Sequence, residues 1–569
     1  MTMPRFIVCT ILLFCWNCTT TPKAAAPAQA DLILFNGKIK TMAGNQVSAL
    51  AAGNGRILAL GDDAEIQALT GPGTHGIDLK GALVLPGFIE GHGHLKGMGW
   101  AKMNLWLMDI DSWEGIIENV AAAAQKAVPG QWITGRGWHQ EKWTAEPAGA
   151  VNGYPTHQEL SRVSPDNPVV LFHASGHALF ANAKAMALAG IQDDTPNPPG
   201  GVIVRDGAGG AIGVFEETAE GLIIEAKRTA EAGRSPSETK ALDKKALKLA
   251  IAECLHKGIT SFQDAGSSFA DMDLYKELAD EGALHIRLWV MANSDNAALA
   301  EKLPAYGFKH YADNHLTLGG IKRYVDGALG SRGAWLLEPY LDLPDSHGQA
   351  VTGMEELRAA ADLAKQHQLQ LCIHAIGDRG NREVLNLYES VLEGQNLRWR
   401  IEHAQHLHPE DIPRFAQLKV IASMQGIHCT SDSPFVVKRL GETRAREGAY
   451  VWRQLLGSGA MVTAGTDVPV EDIDPLANLY AMVTRQRTGG QNFYPEERLT
   501  LEEALTCYLP NNAYAAFEED LKGTLEVGKL ADMVVLSKDI TTGPPETLLE
   551  TQVDTTIVGG KVLYQREPH

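Results

Sequence analysis

Apolar, β-branched segments recur through the middle of the chain, and most end on a polar or ionisable residue. They are Leu83–His94, Ile259–Gly266, His285–Asn293, Ile321–Asp326, Leu369–Ile376, Trp399–Ala404, Val420–His428 and Met461–Val468. Short apolar runs of this kind predict strands buried on both faces of a parallel sheet. Amphipathic helical stretches separate most of them. Ser235-Pro236-Ser237-Glu238 supplies an N-cap, a proline at the first helical position and a capping acid, and opens a helix through about His256. Glu355–His367 and Arg382–Leu392 repeat the helical pattern, and a capping box at Thr500–Glu503 opens the helix that ends this region. Eight strands alternating with helices predict an α/β fold, a (β/α)8 barrel of the TIM type, with its functional groups at the strand C-termini.

Two stretches depart from the alternation. Near the chain ends the strands are short. Leu32–Phe35 runs into an Asn36-Gly37 turn, Ser48–Ala52 and Arg56–Leu60 flank Gly53-Asn54-Gly55, and Asp532–Leu536 and Thr555–Val558 lie close to Gly559-Gly560. Neither end can build a core alone, so residues 31–82 and 520–569 are expected to form one composite β-sandwich beside a barrel at 83–519. Between His94 and Ile259 the interval is too long for a crossover. It holds a helix (Trp113–Val128), a strand (Trp132–Thr134), the turn Pro198–Gly201 and a hairpin at Gly207–Gly213, which predicts an inserted subdomain at about 97–232 over the barrel mouth. Its glycines lack the GxGxxG spacing after a strand, so a dinucleotide loop is rejected.

Composition narrows the function. The chain has 569 residues, 44% hydrophobic and 21% charged, as in a packed globular protein. Its net charge of −19 disfavours polyanionic partners, which argues for a small-molecule substrate and against nucleic acid. Arg5 precedes the apolar run Phe6–Trp16, too short to span a bilayer and suited to a signal peptide. Thr19–Ala30 reads as a tether, so 1–30 is taken as leader. Ala28-Gln29-Ala30 fits a cleavage site before Asp31, whereas Cys18 fits a lipidated cysteine. The expectation is export, to the periplasm or an outer-membrane tether of a bacterium, with no membrane contact beyond an anchor at Cys18. Cys254, Cys372, Cys429 and Cys507 show no CxxC spacing and are expected as buried thiols rather than disulfides. Assembly into a homodimer is left open.

The chemistry starts with His92-Gly93-His94. Strand periodicity of two puts both imidazoles on one face. Lys322, Asp326, His374, His403, His428 and Asp467 fall at the ends of later strands. Ionisable groups inside apolar strands are costly unless paired or coordinated, so their recurrence there suits a metal site.

At these residues the chain resembles a known family. Val84-Leu85-Pro86-Gly87-Phe88-Ile89-Glu90-Gly91-His92-Gly93-His94 is similar to the first metal motif of the amidohydrolase superfamily. Arg136-Gly137-Trp138, Ser175-Gly176-His177-Ala178, Asp326–Arg332, His374–Asp378, Ile401-Glu402-His403-Ala404 and Gly465-Thr466-Asp467 narrow the likeness to the YtcJ-like, or amidohydrolase 3, branch. That branch includes N-substituted formamide deformylase, and the likeness covers about residues 31–566. Gly426 departs from the branch, whose members often carry proline after the glutamine corresponding to Gln425.

The resemblance implies a role for each residue. His92 and His94, with Asp467, would hold one divalent metal, and His374 and His403 a second. Lys322 would be carboxylated by CO2 to a carbamate bridging the two. The metals would be Zn2+, although mixed nitrogen and oxygen ligation also admits Mn2+ or Fe2+. Asp467 would take a proton from the attacking water and pass it to the leaving nitrogen, cleaving a C–N bond in an amide, N-acyl or N-formyl compound. His428 would orient the carbonyl or stabilise the oxyanion, Trp138 and His177 would line the pocket, and Arg332 would bind a substrate carboxylate. Three alternatives stand beside this. Lys322 could instead form a buried salt bridge with Asp326 or another acid. The protein could be a mononuclear deaminase using His92, His94, His403 and Asp467. Or it could be a non-catalytic binding or regulatory relative.

Overall fold

The computed structural model describes residues 29–108, 110–487 and 490–567. The apolar run Phe6–Trp16 and Cys18 lie outside the described residues. Ala30, the last residue of the expected tether, is buried, and its amide donates to the Leu69 carbonyl at 3.1 Å. The packed body therefore already includes residue 30.

Eight strands form the central sheet, each parallel to its neighbour and in chain order. They are β1 (Phe88–Gly93), β2 (Ile259–Ser267), β3 (Arg287–Ala292), β4 (Leu316–Tyr324), β5 (Gln370–Ala375), β6 (Arg400–His403), β7 (Ile421–Gln425) and β8 (Val462–Gly465). The first and last strands meet at the mouth. There the His94 amide donates to the Val468 carbonyl and the Asp467 amide to the His92 carbonyl, both at 2.7 Å. This is the expected (β/α)8 barrel. Helices such as Pro236–His256, Met354–Gln366 and Asp378–Leu392 pack outside it, and the capping box at Ser235 and Glu238 is present. One continuous core joins strands and helices, including Phe88, Leu247, Ile259, Ile321, Leu385 and Ile401.

The run Leu83–His94 is two strands, not one. Leu83–Pro86 pairs antiparallel with Met533–Leu536 and parallel with Lys38–Lys40, outside the barrel. Only Phe88–Gly93 enters the barrel. The crossing falls at Gly87, where a Cβ would collide with the Thr260 side chain. Apolar periodicity cannot mark such a boundary, because the residues on both sides of Gly87 are fully buried.

The two chain ends share a sandwich. One sheet orders Arg56–Gly61, Ala49–Gly53, Leu32–Phe35 and His75–Asp78; the other orders Lys561–Gln565, Val553–Val558, Met533–Leu536, Leu83–Pro86, Lys38–Lys40 and Gln46–Val47. Leu32, Leu50, Val84, Met533 and Ile557 pack together between them. The insertion between β1 and β2 carries its own mixed six-stranded sheet, ordered Gly201–Arg205, Ala211–Glu217, Ala178–Ala181, Val169–His173, Ile133–Trp138 and Leu105–Trp106. Its core is aromatic, with Trp113, Trp138, Tyr154 and Phe180. Among the described residues no helix is long and apolar enough to cross a membrane. Cys254, Cys372, Cys429 and Cys507 are buried free thiols.

Candidate metal centre

The C-terminal ends of the barrel strands bring His92, His94, Lys322, His374, His403 and Asp467 to one place. His92 Nε2 lies 3.5 Å and His94 Nε2 3.2 Å from Asp467 Oδ1. Lys322 Nζ lies 3.3 Å from His92 Nε2. The His403 ring sits 4.9 Å from that of His92 and 4.6 Å from that of His374, centroid to centroid. His92, His403 and Asp467 offer ligand atoms within 4.8 Å of one another.

A second layer orients the imidazoles. Glu402, on β6, accepts from His92 Nδ1 and from Arg400 Nη2, the latter at 2.9 Å. The side-chain oxygen of Gln425, Oε1, lies 2.7 Å from His403 Nδ1. With Nδ1 engaged, each ring presents Nε2 to the centre, as metal-binding histidines do when an outer partner fixes their tautomer. Beneath them, Glu90 accepts the Thr466 amide at 2.6 Å and the His92 amide at 3.2 Å, clamping β1 to β8.

Burial sets the charge states. It pushes His92 down to about 4, helped by the Lys322 cation, and holds His374 and His403 well below the usual imidazole range. All three are therefore neutral near pH 7, the form that ligates metals. Burial opposes ionisation of Asp467, but His94 and the other histidines hold it well below the ordinary carboxylate value. Burial likewise lowers Lys322.

These groups fit divalent cations. Among the described residues His374 Nε2 and Asp467 Oδ1 are buried without an aligned hydrogen-bond partner, a costly state that a cation would relieve. Lys322 is 1% exposed yet makes no ion pair among the described residues. The expected alternative partner, Asp326, instead accepts the amides of Trp335, Ile376 and Gly377 at 2.8–3.0 Å.

A cavity of about 600 Å³ opens above the centre, roofed by the insertion. Three expectations about it change. His428 lies in the first turn of the helix Gly426–Leu440, one element beyond β7. It still reaches the cavity, with Nε2 4.0 Å from Asp467 Oδ2. Gly426 opens that helix, and a Cβ there would collide with Met482 and Asn478, which explains the missing proline position. Trp138 is 1% exposed in the core of the insertion, its Nε1 donating to the Leu171 carbonyl, and is absent from the cavity wall. Arg332 is also absent from the wall and pairs with Asp342 at 2.9 Å. Strand alternation gave Trp138 two faces to choose from, and packing against Tyr154 and Phe180 selected the inner one.

His177 does line the cavity, 3.0 Å from Glu217, and this carboxylate lifts its imidazole to about 9 against the effect of burial. Glu402, Gln425, Glu217 and Arg136 were not singled out from the sequence. Glu402 and Arg136 stood inside recognised motifs; Glu217 had no comparable signal.

Comparison with known proteins agrees with this geometry. The amidohydrolase family profile matches residues 75–564. Protein LONG AFTER FAR-RED 3 of Arabidopsis thaliana is 32% identical over 96% of this chain and 94% of its own length. The putative amidohydrolase YtcJ of Bacillus subtilis is 30% identical over 94% of this chain and 99% of its own. The crystal structure of an uncharacterized metal-dependent hydrolase from Pyrococcus horikoshii superposes with a TM-score of 0.72 at 28% identity, covering 90% of this chain and 99% of that one. By sequence, by fold and by the cluster at its barrel mouth, the chain belongs to the amidohydrolase family and is a hydrolase acting on carbon–nitrogen bonds.

Proposed function

We infer that the protein hydrolyses an amide, N-acyl or N-formyl compound using two divalent metal ions, with zinc the first choice. The observation that carries this is Lys322: a buried amine that makes no ion pair among the described residues, set among neutral histidines. Carboxylation by CO2 would turn it from a cation that repels metals into an anionic oxygen ligand. His92, His94 and Asp467 would hold one ion and His374 and His403 the other, with the Lys322 carbamate as a further oxygen ligand. Bound there, the ions supply Lewis acidity and make water more acidic.

The chain's own groups then divide the work. Asp467, held ionised, accepts a proton from the attacking water as its oxygen adds to the substrate carbonyl carbon. The same carboxyl returns that proton to the nitrogen as the C–N bond breaks. His428 Nε2, aimed into the cavity beside Asp467, is placed to donate to the carbonyl oxygen. Residues of the insertion, among them Arg136, Phe172 and His177, form part of the cavity wall above the site. Export through the leader and a lipid anchor at Cys18 belong to the same proposal.

A single-metal deaminase is the second reading, supported by the tight His92, His403 and Asp467 set. Metal content by mass spectrometry, with ¹³CO2 labelling of Lys322, separates the two. Two ions per chain and a labelled carbamate support the first reading; one ion and an unmodified lysine refute it. Turnover of a panel of N-acyl, N-formyl and cyclic amides then identifies the substrate.

A further inference from the structure

Two cations on the cavity wall make no ion pair among the described residues: Lys322 at the candidate metal centre and Arg136 in the insertion. Arg136, on the strand Ile133–Trp138 of the insertion, lines the cavity together with His94, His403 and Asp467. Its Nε donates to the Pro469 carbonyl at 3.1 Å and its Nη2 to the Ala174 carbonyl at 3.0 Å. Both acceptors are neutral main-chain groups. Nη1 has no acceptor, and no carboxylate lies within ion-pair distance among the described residues. Two other long basic side chains from the insertion that line the cavity are neutralised: Lys142 by Glu471 at 3.1 Å and Lys227 by Glu231 at 2.9 Å. Burial lowers the Arg136 guanidinium to about 10, opposed by the Asp467 and Glu220 carboxylates beyond ion-pair distance, so it stays charged at neutral pH.

A fixed guanidinium with an open edge facing a cavity is the standard recognition element for a carboxylate, which it grips with two parallel N–H bonds. Two carbonyls already hold the head, so little side-chain entropy is lost on binding. Around it the wall is largely apolar, with Trp100, Phe172, Leu329 and Phe435. We propose that Arg136 is the specificity determinant of the site and binds the carboxylate of an amide substrate that also carries an apolar group, as in an N-acyl amino acid. The role expected of Arg332 thus falls to Arg136. The proposal rests on the cavity being the substrate pocket of the hydrolase described above, and it goes further by naming the substrate class.

The test uses N-acetylphenylalanine and N-acetylphenethylamine, which share the amide and the ring but differ by the carboxylate. Binding to the metal-free full-length protein is measured by calorimetry, so that turnover and metal–carboxylate contacts do not enter. The acid should bind at least about tenfold tighter than the neutral amide, the gain expected of a charge-assisted bidentate pair. In Arg136→Gln the two affinities should converge, and Arg136→Lys should keep part of the preference because the charge remains without the fork. Equal affinities in the unaltered protein, no binding of either compound, or a preference that survives Arg136→Gln would each overturn the proposal. So would loss of both compounds in Arg136→Gln, which would make the residue a clamp on the Pro469 loop. If the preference holds but the metal-loaded protein hydrolyses neither compound nor any other amide, the hydrolase reading fails and the anion site stands.

Discussion

The backbone amide of Asp467 donates to the carbonyl oxygen of His92 at 2.7 Å. This bond joins the last barrel strand to the first, and it places a carboxylate and an imidazole that converge on the candidate metal centre. Closing the barrel and assembling the site are therefore one structural event. Gly465 makes the approach feasible, since a Cβ there would meet Glu90 Oε1 and the His92 amide.

Gly465→Ala should accordingly damage both. Overpacking of this kind typically costs about 1–3 kcal/mol. Thermal denaturation should show the loss, and zinc titration should show weaker binding. Unaltered metal affinity would separate the seam from the site.

Glu402→Gln removes the negative charge that fixes the His92 tautomer while nearly preserving shape. Loss of such an outer partner typically weakens metal binding about 10–100-fold. Competition with a chromophoric chelator measures it. The change also leaves the buried Arg400 guanidinium without its counter-ion, at a cost of about 3–5 kcal/mol, so chemical denaturation should report lower stability as well.

Asp467→Asn keeps the volume of the side chain and abolishes its proton transfer. Turnover of any accepted amide should fall by about 10²–10⁴-fold, the usual contribution of a general acid–base group. The fold, read by circular dichroism, should persist. Unchanged turnover would end the proposed role.

Glu216 makes stability pH-dependent at a point away from the centre. Burial lifts its carboxyl from 4.5 to about 7, although the Tyr154 hydroxyl donates to it at 2.8 Å. The folded state thus favours the protonated acid. Its stabilising contribution is complete below about pH 4.5 and is lost as pH rises through about 7. Glu216→Gln mimics the protonated form, so the variant should gain melting temperature over the unaltered protein at about pH 8 and lose that advantage near pH 4.5. Parallel melting curves at both pH values check this.

Removing divalent metal with a chelator should lower the melting temperature, and adding zinc back should restore it. A ligand at 100 times its dissociation constant stabilises the folded state by about 2.7 kcal/mol, a shift differential scanning calorimetry resolves. Identical curves in both states would mean that the cluster does not bind the ion tightly in the folded protein.

Much of this was legible in the chain itself. Strand segments reveal themselves by apolar runs, helices by caps such as Ser235 and Glu238, and metal-type residues by their cost inside an apolar strand; all three are local signals. They located β1 to β8, His92, His94, Lys322, His374, His403 and Asp467. What they could not reveal is which partner each group meets. Leu83–Pro86 reads as barrel strand but pairs with Met533–Leu536, hundreds of residues away. Arg332 and Arg136 are both arginines in recognised motifs; Asp342 neutralises the first, while main-chain carbonyls leave the second open to the cavity. Asp326 looked like a partner for Lys322 but satisfies three backbone amides instead. The sequence by itself determined the elements and the set of chemical groups, because these depend on neighbours along the chain. Tertiary structure alone decided which charges are paired, which atoms are left open and which side chains face the cavity, because those depend on contacts across the barrel and the insertion.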